Sequence, residues 1–199
     1  MRKFSILSYI FAGLMLSSCD GYLKEDPRDQ LYPEDAYDTP QNVYLNTVAS
    51  LYNYIGGYSD SQGLQGTYRG VYDLNTFTTD EAMLPTRGGD WYDGGFWQGL
   101  FLHKWGTNSD AIQATWEYLY KVIVLSNQSL EILGELRQKT DYNDLDRYEA
   151  EVRAFRAMYY YYLVDMFGHV PLIVSSSIPV KDVRQSDRKE AVSYTHLRA

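Results

Sequence analysis

The stretch Leu145-Asp-Arg-Tyr-Glu-Ala-Glu-Val-Arg-Ala-Phe-Arg-Ala-Met-Tyr-Tyr-Tyr-Tyr-Leu-Val-Asp-Met-Phe167, followed by Gly168-His-Val-Pro171, decides the fold. Leu145, Tyr148, Val152, Phe155, Tyr159, Tyr162 and Met166 recur at alternating steps of three and four, which sets them on one face of a helix. Glu149 precedes Arg153 by four residues, the favoured order for an ion pair on a helix surface. Gly168 supplies a terminator, and Pro171 bars continuation. The tetrad of tyrosines at 159–162 wraps every side of this helix, so at least two of its rings belong in a core. Arg153 and Arg156 read as bridges to other helices and acidic neighbours rather than as ligands for an anion.

A second helix lies upstream, capped by Asn108 or Ser109, with Ile112, Trp116, Leu119, Ile123, Leu130 and Leu133 as its buried stripe. Asn127 falls on that stripe and reads as a buried amide bonded to the backbone of the preceding loop, since buried polar groups need partners. The two helices flank a short connection and form a hairpin of the size found in tetratricopeptide-type repeats. An earlier helix opens at Thr39-Pro40, an N-cap followed by a proline at the first helical position. Tyr44, Val48, Leu51 and Ile55 form its apolar face, and Gly56-Gly57 ends it. The predicted fold class is therefore mostly α. One hairpin cannot bury both its faces, so further protein is expected beyond residue 190.

Residues 56–106 differ in character. They hold eleven of the fifteen glycines and three of the four tryptophans, and they show no sustained helical period. This composition predicts loops, with room for a short helix, held by aromatic packing. Loops this long in a compact domain are usually functional or disordered. The density of Trp91, Phe96, Trp97, Phe101 and Trp105 argues for order.

The amino terminus carries an export signal. Arg2 and Lys3 precede a thirteen-residue, mostly apolar run at 4–16. That run is too short for a bilayer, which takes about 20 residues. Leu16-Ser-Ser-Cys19 contains the chain's one cysteine and resembles a bacterial lipobox, in which the cysteine is lipidated and becomes the first mature residue. Acyl chains bury about 0.8 kcal/mol per CH₂, enough for two or more to hold a protein on a membrane. The expected organisation is a signal peptide at 1–18, an acidic lipidated tether at 19–38, a helical domain at 39–190 and a tail at 191–199. The segment Ser186-Asp-Arg-Lys-Glu190 starts a helix, but the sequence from about 193 reads as foreign to the gene.

A formal charge of −8 over 199 residues, without a basic stripe, excludes nucleic acid as a partner. Catalysis and cofactors find no support. His103, His169 and His196 have no metal-ligand spacing and no nucleophile motif beside them. Asp80-Glu81 reads as a loop cap rather than a calcium site, which needs six to eight oxygens.

The ordered combination of four stretches resembles SusD/RagB-type outer-membrane lipoproteins of the Bacteroidetes. They are Cys19-Asp-Gly-Tyr-Leu-Lys-Glu-Asp-Pro27, Thr79-Asp-Glu-Ala-Met83, the Trp116 to Asn127 helix, and Glu151 to Pro171. The resemblance implies tetratricopeptide-like helical hairpins with a loop-rich ligand face, in a chain that is the N-terminal part of something longer. It also implies a non-catalytic, lipid-anchored protein that binds oligosaccharides for a SusC-like, TonB-dependent transporter. RagB-like relatives take peptides instead, and a helical-repeat scaffold is the alternative from another class.

Within that frame Arg87-Gly-Gly-Asp-Trp91-Tyr-Asp-Gly-Gly-Phe-Trp97 is the candidate ligand loop. Sugar rings present apolar C–H faces that stack on aromatic side chains, while carboxylates and guanidinium groups bond the hydroxyls. Arg87, Asp90, Trp91, Tyr92 and Trp97 are the candidate contacts. For Trp91 and Trp97 a place in the core or against the transporter remains the competing reading.

Overall fold

The computed structural model of the chain describes residues 35–57, 63–64 and 70–197. The export signal, Cys19 and most of the acidic tether lie outside the described residues. The residues from Thr39 onward form one compact unit. The chain then runs through α1 (Pro40–Tyr44), a π-helical turn (Leu45–Ala49), α2 (Ser50–Gly56), α3 (Val71–Phe77), α4 (Phe96–Phe101), α5 (Asp110–Lys139), α6 (Leu145–Phe167) and α7 (Arg188–Leu197).

The long helices α5 and α6 form the expected antiparallel hairpin. Cross-helix pairs follow one another in opposite chain directions: Tyr118 to Tyr159, Asn127 to Arg156, and Arg137 to Glu149. Gly168 closes α6 with φ +73°, a conformation that favours glycine, and its N–H reaches Val164. Glu149 pairs with Arg153 one turn along, as the spacing predicts. Arg137 bridges to Asp146 and Glu149 at the hairpin's closed end.

The buried faces are wider than one stripe. On α5, Leu119, Ile123 and Leu133 are fully buried as expected, whereas Ile112, Trp116 and Leu130 are only half-buried. Ala111, Thr115, Tyr118, Val122 and Ser126 are buried in addition. The cause is a second neighbour: α1, the π turn and α2 lie across the hairpin. Tyr118 donates to the Tyr54 carbonyl, Tyr148 donates to the Pro40 carbonyl, and Tyr52 meets Phe155 edge to face at 4.5 Å.

Thr39 caps α1 through its hydroxyl, which accepts from the Asn42 N–H at 3.1 Å. The single regular helix expected here is interrupted by the π turn. The hydroxyl of Thr47 donates back to the Val43 carbonyl at 2.6 Å, a local bond that competes with the α-helical ladder. The shifted register buries Val43 and Thr47 beside Val48 and Leu51, and leaves Tyr44 and Ile55 half-buried.

On α6, Tyr159 and Tyr160 are fully buried and Tyr161 is exposed, which satisfies the expectation of two core rings. Tyr160 is doubly bonded to Ile173, donating to its carbonyl and accepting from its N–H. Asn127 is the buried amide expected, but its loop follows α6 rather than preceding α5: Nδ2 donates to the Ile173 carbonyl at 3.0 Å. Its Oδ1 accepts from Arg156 at 2.8 Å. Arg156 therefore finds an amide and the Tyr194 ring of α7 instead of an acidic partner. Asp187 caps α7 by accepting from the Glu190 N–H, and this helix continues through Leu197. No helix among the described residues is long and apolar enough to cross a membrane.

Candidate functional site

The segment ahead of the hairpin, residues 70–109, holds two short helices, α3 and α4, where the sequence left room for one. Neither is long enough to show a period. Each contributes two apolar anchors: Val71 and Leu74 from α3, and Trp97 and Leu100 from α4. Leu74, Trp97, Leu100 and Ala111 form a small core. Phe77 and Phe96 meet the Trp97 indole edge to face at 5.1 and 4.9 Å.

Trp97 is only 3 % exposed, so it is a core residue and not a ligand contact. Helix α4 turns its side chain inward, toward Leu74 and Phe77. The Thr79 hydroxyl holds the start of the loop, donating to the Thr76 carbonyl and accepting from the Glu81 N–H. The threonine thus does the capping assigned to Asp80 and Glu81, whose carboxylates stay exposed.

The remaining four candidates come together on one turn. Arg87 and Asp90 pair through their backbones, N–H to carbonyl in both directions at 3.2 and 3.0 Å. Gly88 makes this four-residue turn possible at φ +68°. Among the described residues, neither the Arg87 guanidinium nor the Asp90 carboxylate has a side-chain partner.

Trp91 and Tyr92 follow directly and are 59 % and 56 % exposed. Trp91 has φ +60° and Asp93 has φ +48°, left-handed conformations that cost non-glycine residues of order 1–2 kcal/mol each. The chain thus holds a large indole in water with a strained backbone, and no described side chain covers it. The exposed pair makes this turn the candidate contact surface.

Trp105 is a further exposed aromatic that the sequence did not mark as a candidate. It stands 45 % exposed on the short segment before α5, edge to face with His103 at 5.3 Å. His103 Nε2 lies 2.6 Å from the Thr78 carbonyl and ties that segment to the end of α3. The available signal was a tryptophan outside any apolar period, next to Gly106 and ahead of a helix cap.

Burial governs the titration of the hairpin's phenols. Burial pushes the Tyr159 phenol up to about 12. Burial first, then the bond to Tyr159, raises Tyr118 well above the ordinary range, and burial likewise raises Tyr160. Burial also lowers Arg156. Among the described residues no group of three His, Cys, Asp or Glu side chains is placed to hold a metal.

Comparison with known proteins fits this architecture. A family model described as SusD-like, starch-binding and associating with the outer membrane, matches residues 34–195. SusD-like protein P25 of Formosa agariphila is 26% identical over 175 residues, covering 86% of this chain and 31% of the relative. The starch-binding protein SusD of Bacteroides thetaiotaomicron is 26% identical over 138 residues, covering 68% of this chain and 22% of that protein. A solved laminarin-binding SusD-like protein superposes with a TM-score of 0.61 at 26% identity, over 79% of this chain and 32% of that one. The chain thus spans about a third or less of the length of these relatives. Its mostly helical fold and its match over most of its length place it in the SusD-like family.

Proposed function

We propose that this chain is the N-terminal part of a non-catalytic, lipid-anchored surface protein that binds oligosaccharide and passes it to a SusC-like, TonB-dependent transporter. The observation that carries the reading is the Trp91–Tyr92 pair, held outward beside the unpartnered Arg87 and Asp90. Two adjacent rings offer faces for sugar C–H surfaces, and the flanking charges bond hydroxyls without requiring a charged ligand. Starch and laminarin, which two of the relatives bind, are both glucose polymers and agree in ligand class. Attachment would come from Cys19 after removal of residues 1–18.

Titration of the protein against laminari-oligosaccharides, malto-oligosaccharides and peptides is the test. Saturable binding to a glycan is expected. Binding to peptides alone would favour a peptide carrier, and binding to the transporter without any glycan would favour a scaffold. Cys19→Ser should release the exported protein into the soluble fraction; detergent-dependent extraction of that variant would contradict lipid anchoring.

A further inference from the structure

Trp105 is shared by two hollows. One, of about 390 Å³, continues from the candidate loop through Gly94, Gly95 and Phe96 to Trp105 and Ser109. The other, of about 330 Å³, is lined by Trp105 together with residues of α3 and the end of α6. Both volumes are at the low end for ligand pockets. The second combines an apolar floor of Leu74, Leu100 and Ile112 with polar groups on Asn75 and Asp165. Among the described residues neither of those two side chains has a hydrogen-bond or ionic partner. No lysine or arginine lines it, which leaves no counter-charge for a phosphate or carboxylate ligand.

We propose that the cleft between Trp105 and Asp165 is a second carbohydrate subsite, in which one sugar ring stacks on the Trp105 indole. This inference rests on the glycan reading of the candidate loop. The indole and the methyl and methylene groups around it suit the C–H face of a pyranose, while the Asp165 carboxylate and the Asn75 amide bond hydroxyls at its edge. The tie between His103 and the Thr78 carbonyl fixes the segment that carries Trp105, so the platform is formed before a ligand arrives. The first hollow runs from Trp105 back to Gly94 and Gly95, close in sequence to Trp91 and Tyr92, and the proposal joins the two platforms in a track. A track of this kind selects chains over single sugars, since each ring engaged adds to the binding of the next.

Fluorine NMR of the protein labelled with 5-fluorotryptophan tests this, with the four resonances assigned by single Trp→Phe replacements. Malto- and laminari-oligosaccharides of increasing length serve as the probes, alongside glucose and a lysine-containing peptide. The Trp105 resonance should move saturably with a long oligosaccharide. It should still move in Trp91→Ala, at higher ligand concentration. Asp165→Ala should raise the concentration needed on the order of tenfold, as expected for losing a hydrogen bond to a charged group. A shift of Trp91 with none at Trp105 would overturn the subsite and leave the glycan reading intact. No shift of either with any glycan would overturn both. A response of Trp105 to the peptide alone would overturn the carbohydrate assignment in favour of a cationic ligand.

Discussion

The α5–α6 hairpin and the loop region between Thr78 and Ser109 contain similar side chains put to opposite uses. In the hairpin Tyr118, Tyr159 and Tyr160 are core residues with their hydroxyls bonded, Tyr118 to Tyr159 and the Tyr54 carbonyl and Tyr160 to Ile173, and the half-buried Tyr120 donates to the Pro171 carbonyl. In the loop Trp91 and Tyr92 stand in solvent on a left-handed backbone. A bonded, buried ring contributes area and specificity to the fold. An exposed ring on a strained turn contributes neither, and its placement is intelligible only through what it contacts. Aromatic content alone therefore does not separate core from site; backbone conformation and exposure do.

The largest effect should come from the hairpin. Leu163→Ala removes a fully buried side chain and should destabilise by about 2–5 kcal/mol, read as a lower urea midpoint. Glycan affinity measured well below the new midpoint should be unchanged. A parallel loss of affinity would show that the two regions are not separable.

Alkaline titration comes next. With the Tyr159 phenol pushed up from 10 to about 12 by burial, the folded state favours the protonated form. That contribution is fully present below pH 10 and is lost as the pH rises through about 12. For this group alone the loss is of order 3 kcal/mol, and Tyr118 and Tyr160 act in the same direction. Urea midpoints should fall steeply above pH 10. A flat profile would mean that these phenols are solvated.

A smaller effect is expected from Asn127→Ala, which strips both the Ile173 carbonyl and the Arg156 guanidinium of a partner. Leaving such groups unpaired costs about 1–3 kcal/mol. The strap after α6 should also become easier to open, visible as faster amide exchange at Ile173, whose N–H donates to Tyr160. Unchanged exchange there would remove Asn127 from the set of residues that hold this segment.

The hairpin was readable because its signal is long. Over 23 residues the steps from Leu145 to Met166 average out local noise, and the terminator at Gly168 is a backbone requirement. Its second buried flank was not readable: Arg156 and Tyr160 meet the Tyr194 ring of α7, Tyr160 also bonds Ile173, and periodicity marks one face without naming neighbours. The π turn was hidden for a related reason, since a threonine hydroxyl bonding back to Val43 leaves no trace in an apolar pattern.

In the loop, composition singled out a segment but could not sort its tryptophans. Trp91 and Trp97 stand six residues apart in one glycine-rich run. What separates them is the single turn of helix at Phe96–Phe101, which faces Trp97 inward, and the positive φ at Trp91. Helices of six or seven residues leave too little sequence for a period to register.

The most direct measurement is therefore a paired replacement of those two tryptophans. Trp91→Ala and Trp97→Ala are each examined by thermal scan and by titration with the oligosaccharide that binds the unaltered protein. Trp91→Ala should lose about 1–3 kcal/mol of affinity, by analogy with ring stacking on nucleobases, with its melting temperature nearly unchanged. Trp97→Ala should lose about 3–5 kcal/mol of stability. Unaltered affinity in Trp91→Ala, or a melting temperature that falls as far as that of Trp97→Ala, would contradict the account.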